Sequence, residues 1–381
     1  MAEGGGDSDQ KCAECGSVGP DVVVRRSKGK LLLCGPCFAS SVEARVKSKV
    51  AHRFARSPRP FSQHVILVAV SGSRRSLALL LALTRGYPAS LDRSFRLQPV
   101  YVRRCSSAPD PAEEEVRAAC AAMEGALPLV TVDALSEELE ASWKSLPEEA
   151  RVPLWRVAFV AALSTVAERL EHPLCIVTAE TSETLSARCL ELTGSARGSG
   201  VVCFCSLVDE FMLSETSKPL AVMRLFGDLL YSEVEEYSTV RHIEGIRTES
   251  AARERGALQA SCINFCNVIQ KQFDHTGFTI VSTAGKLGVD REHVRCALCG
   301  VPVKPASSSA AAVPAYAAGR IIEDKVDEAR RVRLMNCSTP TEAFMCFACC
   351  RMYRKIDSAV AIAAMERFAQ EVTARICRRP Q

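Results

Sequence analysis

Nineteen cysteines occur in 381 residues, and eight of them form four CxxC pairs, two near each end of the chain. Two thiolates separated by two residues sit on one tight turn and can grip the same metal ion, so two such pairs complete a tetrahedral site. The first set is Cys12-x2-Cys15 and Cys34-x2-Cys37, with eighteen residues between the pairs, the spacing of a four-cysteine zinc ribbon. The second is Cys296-x2-Cys299 and, after a long gap, Cys346-x2-Cys349, with Cys337 and Cys350 nearby as further thiols. Both sets consist of sulfur alone and leave no position open for water, so they are expected to be structural zinc sites. No basic-then-apolar leader follows Met1, and no apolar run reaches the roughly 18 to 20 residues of a membrane helix. A cytoplasmic location is therefore expected, where metal, catalysis or burial explains cysteines better than disulfides.

Charge is unevenly placed. The net charge is only +4, yet between Val22 and Pro60 ten Lys and Arg face a single acid, Glu43. Arg45, Lys47, Lys49, Arg53, Arg56 and Arg59 concentrate in a stretch that reads as a basic helix over Val42–Phe54 and a linker ended by Pro58 and Pro60. A solvated linker would have this composition, and so would a surface that contacts the phosphates of a nucleic acid.

Between the cysteine sets, apolar runs alternate with helical patterns. His64 to Val70 is a continuous, β-branched run expected to form a strand buried on both faces. Further strands are expected at 97–102, 127–132 and 174–178. Helices are expected at 77–84, 111–123, 135–144, 152–170, 182–192, 224–237 and 252–273. Strands alternating with helices predict an α/β domain with a parallel sheet and helices on both faces, whose ligands sit at the carboxyl ends of the strands. Cys203 and Cys205, one residue apart, would face one side of a strand and leave a redox or ligand role open. Cys262 and Cys266 are a helical turn apart and are expected to pack in the core. The domains expected are a zinc ribbon (1–42), the basic helix and linker (43–60), the α/β domain (61–290) and a C-terminal zinc module (291–381). A Ser/Ala/Pro-rich stretch at about 302–319 reads as a disordered insertion.

Directly after the first strand of that domain comes Ser71-Gly72-Ser73-Arg74-Arg75-Ser76. This resembles the Ser-Gly-Gly-x-Asp-Ser loop of the PP-loop ATP pyrophosphatases, which adenylate a carbonyl oxygen and release pyrophosphate. Ser71, Gly72 and Ser76 match. Ser73 replaces a glycine, and Arg75 replaces the acid that in this family helps hold magnesium and pyrophosphate, reversing the sign needed beside the ion. A zinc ribbon, a basic segment, a PP-loop domain and a closing CxxC set together resemble the cytosolic wobble-uridine tRNA thiolases, heterodimers of a catalytic and a degenerate subunit. The chain is most similar to the degenerate subunits, through the altered loop, Lys218-Pro-Leu220, Glu235 and Tyr237, Thr283-Ala-Gly-Lys-Leu287 and the terminal cysteines. The mid-domain CxxC of active members is missing, and Thr178-Ala-Glu-Thr-Ser-Glu-Thr184 stands where they carry Gly-His-Asn-x-x-Asp-Asp.

The resemblance implies a non-catalytic subunit that binds tRNA and a catalytic PP-loop partner. ATP would act only through the partner, with sulfur delivered by a thiocarboxylated ubiquitin-related modifier. It also implies that Ser71, Gly72, Ser73 and Ser76 are remnants of a nucleotide loop. Two alternatives stay open: an active tRNA-adenylating enzyme that recruits Glu180 or Glu183 for magnesium, and a zinc-ribbon adaptor without nucleotide chemistry.

Overall fold

The structure is a computed structural model of the full chain. It describes residues 11–18, 22–26, 29–54, 64–87, 95–107, 110–212, 219–246, 257–273, 275–287, 294–296, 298–303, 345–356 and 358–373.

An N-terminal hairpin, β1 (Val22–Arg26) and β2 (Gly29–Leu33), leads into a 20-residue helix α1 (Gly35–Phe54). The central unit alternates β3 (His64–Ala69), α2 (Arg74–Gly86), β4 (Phe95–Arg103), α3 (Ala112–Ala121) and β5 (Val130–Asp133). It continues with α4 (Glu137–Trp143), α5 (Glu148–Glu168), β6 (Pro173–Thr178), α6 (Ser182–Gly194) and α7 (Val201–Cys205). An antiparallel edge strand β7 (Val208–Met212), then β8 (Pro219–Arg224), α8 (Tyr231–Val240), α9 (Ala257–Gln272) and α10 (Thr276–Lys286) follow. The C-terminal module holds a short hairpin, β9 (Val294–Arg295) with β10 (Pro302–Val303), and helices α11 (Phe347–Arg354) and α12 (Ala359–Phe368).

The six central strands lie in the order β5-β4-β3-β6-β8-β7 and are parallel except β7, so the expected α/β architecture is present. Strand β3 explains why: all six of its residues are buried, and its side chains alternate between two cores. Leu67 and Ala69 face a core with Trp143, Leu154, Ala158 and the C-terminal module. Ile66 and Val68 face the other, with α2, Tyr237 and the α1 residues Phe38, Val42, Val46 and Val50. The period of two in a strand thus assigns the two cysteine modules to opposite faces of one sheet.

Two sequence expectations need correction. The helix expected from 224 starts only at Tyr231, and residues 219–224 form β8 because the apolar run Leu220-Ala-Val-Met223 is buried against β6. Pro302 and Val303, at the start of the expected insertion, instead pair with β9, and 304–319 lie outside the described residues. Helix α5 is long and apolar enough to cross a membrane by length and composition. However, 67% of its most apolar window is buried in the fold, where it serves as the core helix of one face.

Candidate functional site

The turn after β3 lies at the carboxyl edge of the sheet. Gly72 takes φ +77°, which glycine adopts without strain, and Ser73 caps α2 by accepting the N–H of Ser76. The hydroxyls of the turn bond mainly to one another. Ser71 Oγ donates to Ser73 Oγ at 3.1 Å, Ser76 Oγ donates to the Ser73 carbonyl at 2.9 Å and accepts the Ser71 N–H at 3.1 Å. A later segment straps the turn from outside. Ile246 N–H donates to Gly72 O at 2.9 Å, and Arg74 donates to Ile243 O and Glu235, both at 2.9 Å. A Cβ on Gly245 would stand 3.1 Å from the Arg74 nitrogen, a tight approach that glycine avoids.

Arg75, in the first turn of α2, is 3% exposed. Its Nη1 donates to Thr184 Oγ1 at 3.0 Å, and its guanidinium lies 5.3 Å from the centre of the Tyr231 ring. It therefore bridges the starts of α2, α6 and α8.

Beside the turn is a cavity of about 520 Å³, walled by Trp155, Phe159 and Val160 on one side and by Ser71, Ser73, Ser76 and Thr178 on another. Arg75 also lines it, and much of the remaining charged lining is already paired. Glu180 is held between Arg188 and Arg224, the latter at 3.1 Å, and Asp110 accepts the Tyr101 hydroxyl at 2.6 Å. Arg104 grips Glu140 with two nitrogens, and Arg156 meets Glu191 at 2.7 Å. Glu183 turns to the start of α8, where both its oxygens lie 2.9 Å from the Tyr231 N–H. Magnesium prefers near-octahedral oxygen ligands with carboxylates among them. Of the acids that the sequence offered for it, Glu180 is held by two arginines within the cavity and Glu183 is engaged at α8, and Arg75 stands in the loop. The residues present do not fit a magnesium site.

No cysteine lines this cavity among the described residues. Cys203 and Cys205, expected on a strand, lie in the short helix α7 and are buried. Burial pushes the Cys203 thiol up to about 11, the reverse of an activated nucleophile. Cys205 meets Cys189 of α6, whose thiol is lowered to about 7 by the hydrogen bond between them. Cys266 is buried as expected, while Cys262 is half-buried.

Each cysteine set comes together, with its four sulfurs within 4.8 Å of one another. Zn–S bonds of about 2.3 Å in a tetrahedron put sulfurs roughly 3.8 Å apart. The separations of 3.6 Å for Cys15–Cys34 and 3.5 Å for Cys299–Cys346 fit one ion per group. An iron–sulfur cube, with each cysteine on a different outer corner, needs its thiolates much farther apart. In both groups the first CxxC turn closes alike. The N–H of Gly16 donates to Cys12 O and that of Gly300 to Cys296 O, at 2.9 and 3.0 Å, with φ of +73° and +69°. In both, the second pair opens a helix, and its first cysteine N–H donates to the first sulfur of the group: Cys34 to Cys12 at 3.3 Å, Cys346 to Cys296 at 3.2 Å. The backbone N–H groups of Cys15 and Cys34 hold the Cys12 thiol down to about 6, ready to bind a cation. Cys349 is the fourth member of the second group.

No family model and no curated protein matches the sequence. Among solved structures, the chain is similar to the U34-tRNA thiolase NcsA from Methanococcus maripaludis with its [4Fe-4S] cluster. The TM-score is 0.52 at 12% identity, over 78% of this chain and 92% of that one. A second similarity is to an NMN synthetase from Francisella tularensis, with TM-score 0.35, 11% identity, and coverage of 68% and 98%. The chain thus shares its overall fold with NcsA.

On this fold the basic helix α1 lies against α2 and α8, and its charges divide. Arg45 reaches Asp228 at 3.2 Å and Glu233 at 3.8 Å, while Lys49 is paired with Asp228 and donates to Leu225 O at 2.5 Å. Glu43 receives Arg241 at 2.7 Å and the Tyr237 hydroxyl at 3.1 Å. Lys47 is exposed and lies 5.6 Å from the Tyr87 ring centre, Arg53 is half-buried, and Arg56 and Arg59 are outside the described residues. Two of the six expected RNA-contacting cations are thus used to hold the fold. The partners on 228–241 give no signal in the sequence, because pairing across some 180 residues has no local pattern.

Proposed function

We propose that this chain is the non-catalytic subunit of a complex that 2-thiolates the wobble uridine (U34) of cytosolic tRNAs, a protein of the cytoplasmic tRNA 2-thiolation protein 2 type. It pairs with a catalytic PP-loop subunit and supplies tRNA-binding surface. That subunit activates the uridine with ATP and receives sulfur from a thiocarboxylated ubiquitin-related modifier. The PP-loop thiolase fold supports the reaction class, and one observation carries the non-catalytic role. At the site where a nucleotide enzyme needs acids for magnesium, Glu180 is clamped between Arg188 and Arg224, Glu183 caps α8, and Arg75 stands in the loop.

With no thiol lining the cavity among the described residues, the chain also lacks a group there to carry sulfur. Its exposed cation Lys47, with the neighbouring Arg53, Arg56 and Arg59, would contact phosphates, which positions RNA without reading its sequence. The two cysteine groups hold structural zinc.

ATP–pyrophosphate exchange by the isolated chain in the presence of tRNA separates this reading from an active enzyme. No exchange is expected, and exchange above background would overturn the assignment. An adaptor without nucleotide chemistry predicts instead that neither a PP-loop partner nor tRNA co-purifies.

A further inference from the structure

Beside the C-terminal cysteine group lies a buried charge that no acid among the described residues balances. Arg197 follows α6 and is 6% exposed. Its Nη2 lies 4.0 Å from Cys349 Sγ, and its Nε has no hydrogen-bond partner. Neighbouring arginines each have a carboxylate: Arg156 has Glu191, Arg188 and Arg224 share Glu180, and Arg295 meets Asp209 at 3.5 Å. Among the described residues Arg197 forms no ion pair with any acid.

Its placement is enforced. Ala196 adopts φ +57°, a left-handed conformation that costs a non-glycine residue energy, and the Arg197 N–H is fixed to Leu192 O at 2.7 Å. Gly200, just beyond, lets the cysteine module approach, since a Cβ there would stand 2.6 Å from Val301 Cγ1.

A guanidinium keeps its charge in a protein, and burying it unpaired is strongly unfavourable. Four neutral thiols would leave it so. Four thiolates around one divalent cation carry two net negative charges, and these too are costly to bury without a counter-charge. We propose that Arg197 is the buried counter-ion of a divalent metal–tetrathiolate complex at Cys296, Cys299, Cys346 and Cys349, so that this ion is built in as the core forms. The inference rests on those four residues being metal ligands. Arg197 is a positioning residue that acts through the ligand Cys349. The N-terminal group, with Cys15 exposed and bonded to Ser17 Oγ at 3.1 Å, has water to do the same work.

The test loads the full chain with zinc and follows its release to a chromogenic chelator. The wild-type protein should give two phases, the slower at least tenfold slower, and Cys12→Ser should remove the fast one. Arg197→Met should speed the slow phase at least tenfold, while Arg197→Lys stays near wild type. Arg197→Gln, which keeps a polar head without charge, provides the same comparison if the methionine variant does not fold. In the cobalt(II)-loaded protein, the thiolate-to-cobalt band of the slow site should move in the neutral variant and return in Arg197→Lys. A single release phase in the wild type, a neutral variant with unchanged release and an unmoved band, or lysine and neutral variants equally impaired would each overturn the proposal.

Discussion

The two cysteine groups share one local design and differ in what surrounds it. Each has a CxxC-Gly turn with a left-handed glycine, a second pair at a helix start, and an N–H from that pair to the first sulfur. At the N-terminal group, one cysteine is buried, two are half-buried and one is exposed. At the C-terminal group all four are buried and belong to a main core cluster with Trp143, Leu154 and Phe368. The same motif therefore serves two purposes: one clips a hairpin to a surface helix, and the other replaces part of an apolar core. Charge balance follows from that, with solvent sufficing at one end and Arg197 needed at the other.

This contrast breaks first under ligand deletion. Cys299→Ser should lower global stability by more than about 3 kcal/mol, because metal binding at a buried site is part of folding free energy. Chemical denaturation followed at Trp143 measures it. Cys15→Ser should cost less, about 1 to 2 kcal/mol, with faster hydrogen exchange confined to the hairpin and the start of α1. Equal losses in the two variants would mean that burial does not separate the groups.

The basic helix sharpens the comparison at its other end. Lys49→Glu leaves Asp228 facing a like charge and should destabilise the fold by about 2 kcal/mol, an effect read as a lowered Tm. Lys47→Glu should leave Tm nearly unchanged, yet weaken tRNA binding several-fold and flatten its salt dependence, by about one unit of slope for each phosphate no longer neutralised. An unchanged salt slope in Lys47→Glu would remove this face from RNA binding.

Where chemistry is set by spacing or by continuous apolar runs, it is legible in the sequence. Both cysteine quartets, β3 with its serine turn, and the parallel strands follow from residues adjacent in the chain. Strand β8 is not legible, because six residues bounded by Pro219 and Arg224 carry no alternation to set them apart from a helix start. Alternation alone points Cys203 and Cys205 to a strand, whereas their five-residue helix is fixed by packing on α6. The roles of Arg45, Lys49, Glu180 and Arg197 have no signal, since each depends on a partner brought in by the sheet. The altered loop is visible as a change of charge. Only the structure shows that Arg75 donates to Thr184 and that Glu180 and Glu183 are both occupied.

That occupied site is the centre of the account, and reconstitution tests it most directly. Co-expressing the catalytic PP-loop subunit with and without this chain, and measuring 2-thiolation of the wobble uridine, should show thiolation only when both are present. Arg75→Asp in this chain should leave the yield within about twofold of wild type, because a single restored acid does not free Glu180 or Glu183 to complete a magnesium site. Equal thiolation without this chain, or a large gain from Arg75→Asp, would contradict the reading.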